Sequence, residues 1–306
     1  MKFVTIIMSM LLMINAHAFD PTSKPVTVIV PYSPGGTTDM IFRELEKYAI
    51  TKGINMNPLY KPGASGVIGL QELNSRPGDG YSIGVTLLDS IASYTLMTEK
   101  EIDPNNILMI HQNVFGIVVK NEGKFNSWND VATRLKNDKK GVSFGYSTPI
   151  QEVIYTNVMK QASITDNYIL ANYSRSGVTI ITDIIGETLD AGIGSLITYH
   201  QHIQTGKLKL IAVDALSPLS LYPNVPTLKT LYPNLSLPKR GSSIVLPNGI
   251  TPEAAKFWKQ FMSEYSSSPV FLEKSKTEFY EVTKSSVAEL KRNIAIQVEL
   301  LKQVKK

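Results

Sequence analysis

The chain has 306 residues, 31 Lys plus Arg against 26 Asp plus Glu, and a formal charge of +5. It contains no cysteine, which excludes disulfides, thiol nucleophiles, cysteine-ligated metal centres and a lipid-anchored N-terminal cysteine. With 43 % hydrophobic residues it can bury a large core, and its length suits one large domain or two ordinary ones.

The first residues read as a secretory signal. Lys2 gives a positive start, Phe3 to Ile14 is an apolar run, and Ala16-His17-Ala18 places small residues where a signal peptidase reads them. Cleavage is expected after Ala18. The run is too short to span a bilayer, which takes ~20 apolar residues. No later stretch reaches that length, so the mature chain is expected to be periplasmic and soluble, with no membrane insertion of its own. The basic cluster Lys136 to Lys140 includes Asp138 and reads as a solvated helix end, so no nucleic-acid partner is expected.

Short β-rich runs then alternate with amphipathic ones. Val26 to Val30 is an apolar strand buried on both faces. Thr38 to Ile50 carries Ile41, Leu45, Tyr48 and Ala49 on one helical face and stops at Gly53. Strands are expected at Asn57 to Lys61, Tyr81 to Leu87 and twice within Ile107 to Val119, broken near Asn113, with a helix from Val67 to Ser75 between the first two. Further on, helices are expected at Ser127 to Lys136, Ile150 to Gln161, Val178 to Ile185 and Leu196 to Thr205. Strands interleave them at Val142 to Tyr146, Tyr168 to Ala171, Leu189 to Ile193 and Leu208 to Val213. A proline-rich passage from Pro218 to Pro238 reads as a return crossing to the first lobe. Ser243 to Leu246 is a last strand, Thr251-Pro252 opens a helix, and Ser286 to Glu289 is a capping box for the final one. This α/β alternation predicts two lobes, each a mainly parallel sheet flanked by helices. The boundaries read as residues 19–119 with 241–306, and residues 120–240.

Four turns lead from a strand into a helix start. In Val30 to Asp39 (VPYSPGGTTD) a buried strand ends in a Pro/Gly turn, and a helix begins at Thr37 or Thr38. Free N–H groups and the positive helix end there favour an anion. Gly35 and Gly36 permit close backbone approach or a left-handed backbone. The plain alternative is an ordinary turn with Asp39 in the first helical turn. The pattern is neither a P-loop nor a dinucleotide fingerprint. Lys61 to Gly69, Tyr146-Ser147-Thr148 and Gly194-Ser195 repeat the arrangement. Together they suggest a cleft lined with hydroxyls and N–H groups.

These segments carry a resemblance. VPYSPGGTTDMIFRE, YKPGASGVIG, RPGDGYSIG, GETLDAGIGSL, GKLKLIAV and YPNVPTL, in that order, resemble the periplasmic solute receptors of tripartite tricarboxylate transporters, the Bug receptors. The resemblance implies a two-lobed periplasmic-binding-protein fold of type II, a Venus flytrap, closing on a small organic carboxylate. It implies a monomer that docks on the transporter's membrane subunits, uses no cofactor and performs no bond chemistry. Carried over by position, the ligand-binding residues are Tyr32, Ser33, Gly35, Gly36, Thr37, Thr38, Asp39, Ala64, Ser65, Gly66, Tyr146, Ser147, Thr148, Ser195 and Leu196. The chain departs from the family at Phe42 before Arg43, around Gly194 to Leu196, and in the shortened turn Tyr146-Ser147-Thr148-Pro149. Those departures bear on ligand identity. Arg175 is either a fork for a ligand carboxylate or a surface residue, and Arg43 reads as structural.

Two other readings stand beside this one. The same ligand could serve an orphan sensor that signals to a membrane histidine kinase. Alternatively, Gly80-Tyr81-Ser82-Ile83-Gly84 matches the pattern of a hydrolase elbow, but here a turn precedes Ser82 and the strand follows it. His111, His200 and His202 have no orienting acid in the sequence. His200 and His202 would point about 200° apart on a helix, so no metal site is expected.

Overall fold

The computed structural model describes residues 19–138, 141–173, 177–235, 237–277, 279–281 and 285–304. The expected signal segment and Arg175 lie outside them.

The buried strand β1 (Val26–Val30) runs into α1 (Thr37–Thr51), followed by β2 (Met56–Tyr60), α2 (Val67–Asn74), β3 (Ser82–Leu87), α3 (Leu88–Thr98) and β4 (Ile107–Asn113). The chain then passes through Val114 into β5 (Phe115–Lys120), α4 (Trp128–Asn137), β6 (Val142–Tyr146), α5 (Pro149–Gln161), β7 (Tyr168–Asn172), α6 (Val178–Ile185), β8 (Ala191–Ser195), α7 (Leu196–Gln204), β9 (Leu208–Val213) and the short α8 (Leu228–Leu231). It returns through Arg240 into β10 (Gly241–Val245), α9 (Pro252–Ser266), α10 (Pro269–Thr277), β11 (Tyr280–Glu281) and α11 (Val287–Val304).

Two sheets result, ordered β11-β4-β10-β3-β1-β2 and β7-β6-β8-β5-β9. Both are mixed, which corrects the expected mainly parallel pairing. β1 lies parallel to β2 and β3, but β10 runs antiparallel to β3 and β4. β5 runs antiparallel to β8 and β9. The reason is connectivity. A helical crossover within one sheet enforces parallel neighbours, whereas β5 and β10 arrive from the other lobe and escape that constraint.

The first lobe boundary also moves. β5 pairs wholly within the second sheet, so the first crossing is at Val114, ahead of residue 119. The final helix straddles the division. Its Leu290 packs with Leu70, Leu73 and Ile91 of the first lobe. Its Leu301 packs with Val153, Ile154 and Val158 of α5.

Each sheet is covered on both faces. Val26, Val28 and Val30 meet Ile41, Phe42 and Leu45 of α1 and Trp258 of α9, while Ile29 faces α2 and α3. In the second sheet Phe144 and Ile193 face α4 and α5, and Val118 faces α6 and α7. Each such buried side chain contributes about 1.5–3 kcal/mol relative to exposure. The carboxyl ends of β1, β6 and β8 therefore deliver three helix starts toward the gap between the sheets. Among the described residues no helix is long and apolar enough to cross a membrane.

Candidate functional site

Between the lobes lies a cleft lined from both sides by helix starts. At α1 the Pro/Gly turn after β1 brings Ser33, Gly36, Thr37 and Thr38 to its surface. Gly35 has the left-handed φ of +82°, while Gly36 is extended at φ −82°, ψ 177°. Backbone strain on substitution therefore belongs to Gly35, which corrects the expectation for Gly36. No side chain caps this helix. The N–H groups of Thr37, Thr38 and Asp39 find no partner among the described residues. The Thr38 hydroxyl is buried and unpaired as well.

Asp39 is turned away from the cleft. Its carboxylate accepts from the Gly35 N–H at 2.8 Å and from the Tyr60 hydroxyl at 2.6 Å, and pairs with Arg43 at 3.5 Å. It fixes the loop to β2 and leaves the cleft face to its neighbours. Arg43 is structural too, donating to Glu46 at 3.1 Å and Tyr60 at 2.9 Å.

The start of α7 stands opposite. The hydroxyls of Thr37 and Thr198 share a hydrogen bond of 2.8 Å across the cleft, so the two lobes are closed on each other. Ser195 lines the cleft with its buried hydroxyl unpaired. Leu196 does not line it. Its side chain is core, and its N–H donates to the Val114 carbonyl at 3.0 Å. Tyr199 lies flat against β8. A Cβ on Gly194 would sit 2.6 Å from the Tyr199 hydroxyl, so only glycine fits there. Burial pushes the Tyr199 phenol well up, so it stays neutral and can donate.

The start of α5 is built differently. Ser147, Thr148 and Gln151 line the cleft. The Gln151 Oε1 accepts from the N–H groups of Ser147 at 2.7 Å and Thr148 at 3.2 Å, and from the Ser147 hydroxyl at 3.2 Å. Behind Thr148 stands the buried Asp89, whose carboxyl is pushed up by burial, and the Thr148 hydroxyl, like those of Thr38 and Ser195, is buried without a partner among the described residues. Tyr146 lies beneath the surface, its phenol pushed up to about 12 by burial and by Glu152.

Ala64, Ser65 and Gly66 are not on the cleft surface. They stand behind Tyr32, whose hydroxyl donates to the Ser65 carbonyl at 3.2 Å and bonds Ser90 at 3.0 Å. The cleft floor comes from residues that the motif reading missed: Leu87 at the end of β3, and Asn113 and Phe115 at the strand ends where the chain crosses. Asn113 is held by Ser242 at 3.2 Å. Phe115 donates its N–H to Asp214 at 2.7 Å, and Arg240 pairs with Asp214 while lying 4.8 Å over the Phe115 ring. Thr198, Tyr199, Gln151, Gly177 and Val178 complete what was missed.

No described lining residue carries a formal charge. Such a surface holds an anion by N–H groups, hydroxyls and helix dipoles. Ser82 begins β3 within the first sheet, so the strand–serine–helix context of a hydrolase elbow is absent. His111 is fully buried, bonds the Gln112 carbonyl at 3.1 Å, and is pushed down to about 3 by burial. His200 bonds the Tyr222 hydroxyl at 2.9 Å.

The family model for the tripartite tricarboxylate transporter family receptor matches residues 58–306. The chain belongs to that family. Among curated relatives of this receptor is protein BugT of Bordetella pertussis, 23 % identical over 264 residues, covering 82 % of this chain and 79 % of BugT. Among solved structures, the periplasmic binding protein BugD superposes with a TM-score of 0.80 at 21 % identity, over 92 % of this chain and 97 % of that one. A Rhodopseudomonas palustris protein solved with adipate gives 0.81 at 17 % identity, over 93 % and 97 %. At these identities the superpositions establish the fold: a two-lobed periplasmic binding protein. The family and its structural neighbours are solute-binding proteins.

Proposed function

We propose that this receptor captures a small organic carboxylate in the periplasm and delivers it to the membrane subunits of a tripartite tricarboxylate-type transporter. The observation that carries the reading is the meeting of two helix starts in one uncharged cleft. The N-termini of α1 and α7 approach through Thr37 and Thr198, with the buried hydroxyls of Thr38 and Ser195 unpaired. A carboxylate placed there gains hydrogen bonds to a charged group, each worth roughly 1.5–3 kcal/mol, and two helix dipoles. The ligand contacts are assigned to Ser33, Gly36, Thr37, Thr38 and Ser195. Asp39, Tyr146, Leu196 and the Ala64 to Gly66 turn act as supports. The lobes move as bodies divided at Val114 and Arg240. The family match and the adipate-bound neighbour support the ligand class.

A thermal-shift screen of organic acids on the processed protein tests this. A ligand at 100 times its Kd stabilises by about 2.7 kcal/mol, a few degrees of Tm at this size. A screen in which no carboxylic acid raises Tm overturns the reading. Export is tested separately by intact mass. Processed material begins at Phe19, and retention of Met1 removes the periplasmic assignment.

A further inference from the structure

Four residues that line the cleft carry a buried hydroxyl with no partner among the described residues: Thr38, Thr148, Ser195 and Tyr199. Three of them stand at helix starts. Tyr199 does not. It lies one turn into α7, four residues beyond the cap position Ser195, so the two share a helical face. A buried phenol ordinarily finds a hydrogen-bond partner, and this one is buried without one. Its place is set by two glycines of β8. A Cβ built on Gly194 would lie 2.6 Å from the Tyr199 hydroxyl, and one on Gly192 would lie 3.4 Å from it. Gly194 itself lines the cleft beside Ser195. The phenol therefore ends against a residue of the cleft wall, next to the hydroxyl assigned above to the ligand carboxylate. The Tyr155 hydroxyl makes the contrast. It is equally buried and unpaired, but Tyr155 does not line the cleft.

We propose that Tyr199 is a specificity residue of the cleft, its hydroxyl bonding a hydroxyl or keto oxygen that the ligand carries on the carbon next to its carboxylate. This rests on the carboxylate reading above and narrows it to hydroxy and oxo acids. With the carboxylate at Ser195, the ligand atom that meets the neighbouring phenol is one close to the carboxylate. A phenol serves either oxygen, donating to a ketone and donating to or accepting from an alcohol. An acid without that oxygen leaves the phenol buried and unpaired, the condition under which a site rejects an analogue most strongly.

The test titrates matched acids into the processed protein: lactate and pyruvate against propanoate, malate and oxaloacetate against succinate, mandelate and phenylglyoxylate against phenylacetate. In the tightest set the oxygen-bearing acid is expected to bind at least about tenfold more tightly than the plain one, and its two members tell alcohol from ketone. Tyr199→Phe removes only the hydroxyl. It is expected to reduce that preference at least about fivefold, by weakening the oxygen-bearing acid while the plain acid holds, and to keep Tm, because the hydroxyl has no protein partner. Tyr155→Phe is expected to keep the wild-type ratio. Wild-type protein that binds the plain acid as tightly overturns the proposal and decides the matter even if the phenylalanine variant does not fold. So does a folded Tyr199→Phe variant with an unchanged ratio, which would leave the hydroxyl to bound water only. So does a tightest ligand from the broader screen with no oxygen on that carbon. Those outcomes leave the carboxylate reading standing. If no acid of any set binds, and none in the screen does, the carboxylate reading falls and this proposal falls with it.

Discussion

The starts of α1 and α5 face the same cleft from opposite lobes, and both follow a buried strand through a Ser/Thr-rich turn. They end in different electrostatic states. At α1 the nearby acid, Asp39, reaches back to the loop N–H of Gly35 and sideways to Tyr60, leaving the first-turn donors open. At α5 the side chain three residues past the turn, Gln151, folds over the donors themselves. A helix N-terminus is thus an anion site only if its own sequence leaves it unsatisfied. At α5 the residue at the third helical position takes up the N–H groups of Ser147 and Thr148.

The first way to test that contrast fixes the pH window in which it can be measured. His111 lies in β4, two residues before Asn113 of the cleft floor, and burial holds it neutral with a value of about 3. Its unfolded value is about 6.5. The unfolded chain therefore binds the proton first, and stability is lost as pH falls from 6.5 toward 3. At pH 5 the loss from this group is about 2 kcal/mol, read as a lower Tm than at pH 7.5. His111→Gln is expected to flatten that slope, and an unchanged slope refutes the assignment. Binding comparisons belong above pH 6.5.

Within that window the largest binding effect is expected at the open start. Gly36→Val puts a side chain into the ligand's space while the extended backbone tolerates it, so affinity for a carboxylate should drop at least tenfold, about 1.4 kcal/mol, in a folded protein. Wild-type affinity in that variant would move the ligand away from α1. Next comes the hydroxyl pair. Thr38→Val should cost roughly 1 kcal/mol of binding, about fivefold, and leave Tm nearly unchanged. Thr148→Val should change affinity less than about twofold, because the N–H groups beside it are held by Gln151, and should leave Tm nearly unchanged, because its buried hydroxyl has no partner among the described residues. Equal losses of affinity at both positions would erase the contrast. The smallest effect is expected at Ser82→Ala, remote from both starts. It should leave titrations unchanged, and an ester-hydrolysing activity lost on that substitution would show that the chemistry had been misread.

Much of this arrangement was legible in the sequence. β1, β6, α6 and β9 follow directly from apolar runs and helical periodicity, and their bounds fall where the pattern puts them. α3 was not legible. It follows β3 with no turn between, and Leu88 through Tyr94 are all buried, so no polar face marks its period. The strands β5 and β10 were legible, but their antiparallel direction was not, since strand direction after an inter-lobe crossing is set by tertiary contacts. At the site, the α1 turn and Ser195 carried recognisable Gly/Ser/Thr signals. Leu87, Asn113 and Phe115 did not, because a cleft floor made of strand ends brought together by the fold has no local motif. Gln151 did leave a trace. Thr148-Pro149-Ile150-Gln151 is the Ser/Thr-x-x-Gln signature of a capping box, and it announces a helix start whose preceding N–H groups, those of Ser147 and Thr148, are held by the Gln151 side chain.

Asp214 holds both passages between the lobes at once. One carboxylate oxygen takes the Phe115 N–H beside the outward passage, and the group pairs with Arg240 on the return passage. The two strands are therefore pinned like the leaves of a door on one axle. They can bend together, but neither can twist without pulling a buried charge from its partner, which is expensive. A displacement of one sheet against the other therefore has to carry both passages together, and the Thr37–Thr198 contact is set out from that one shared point.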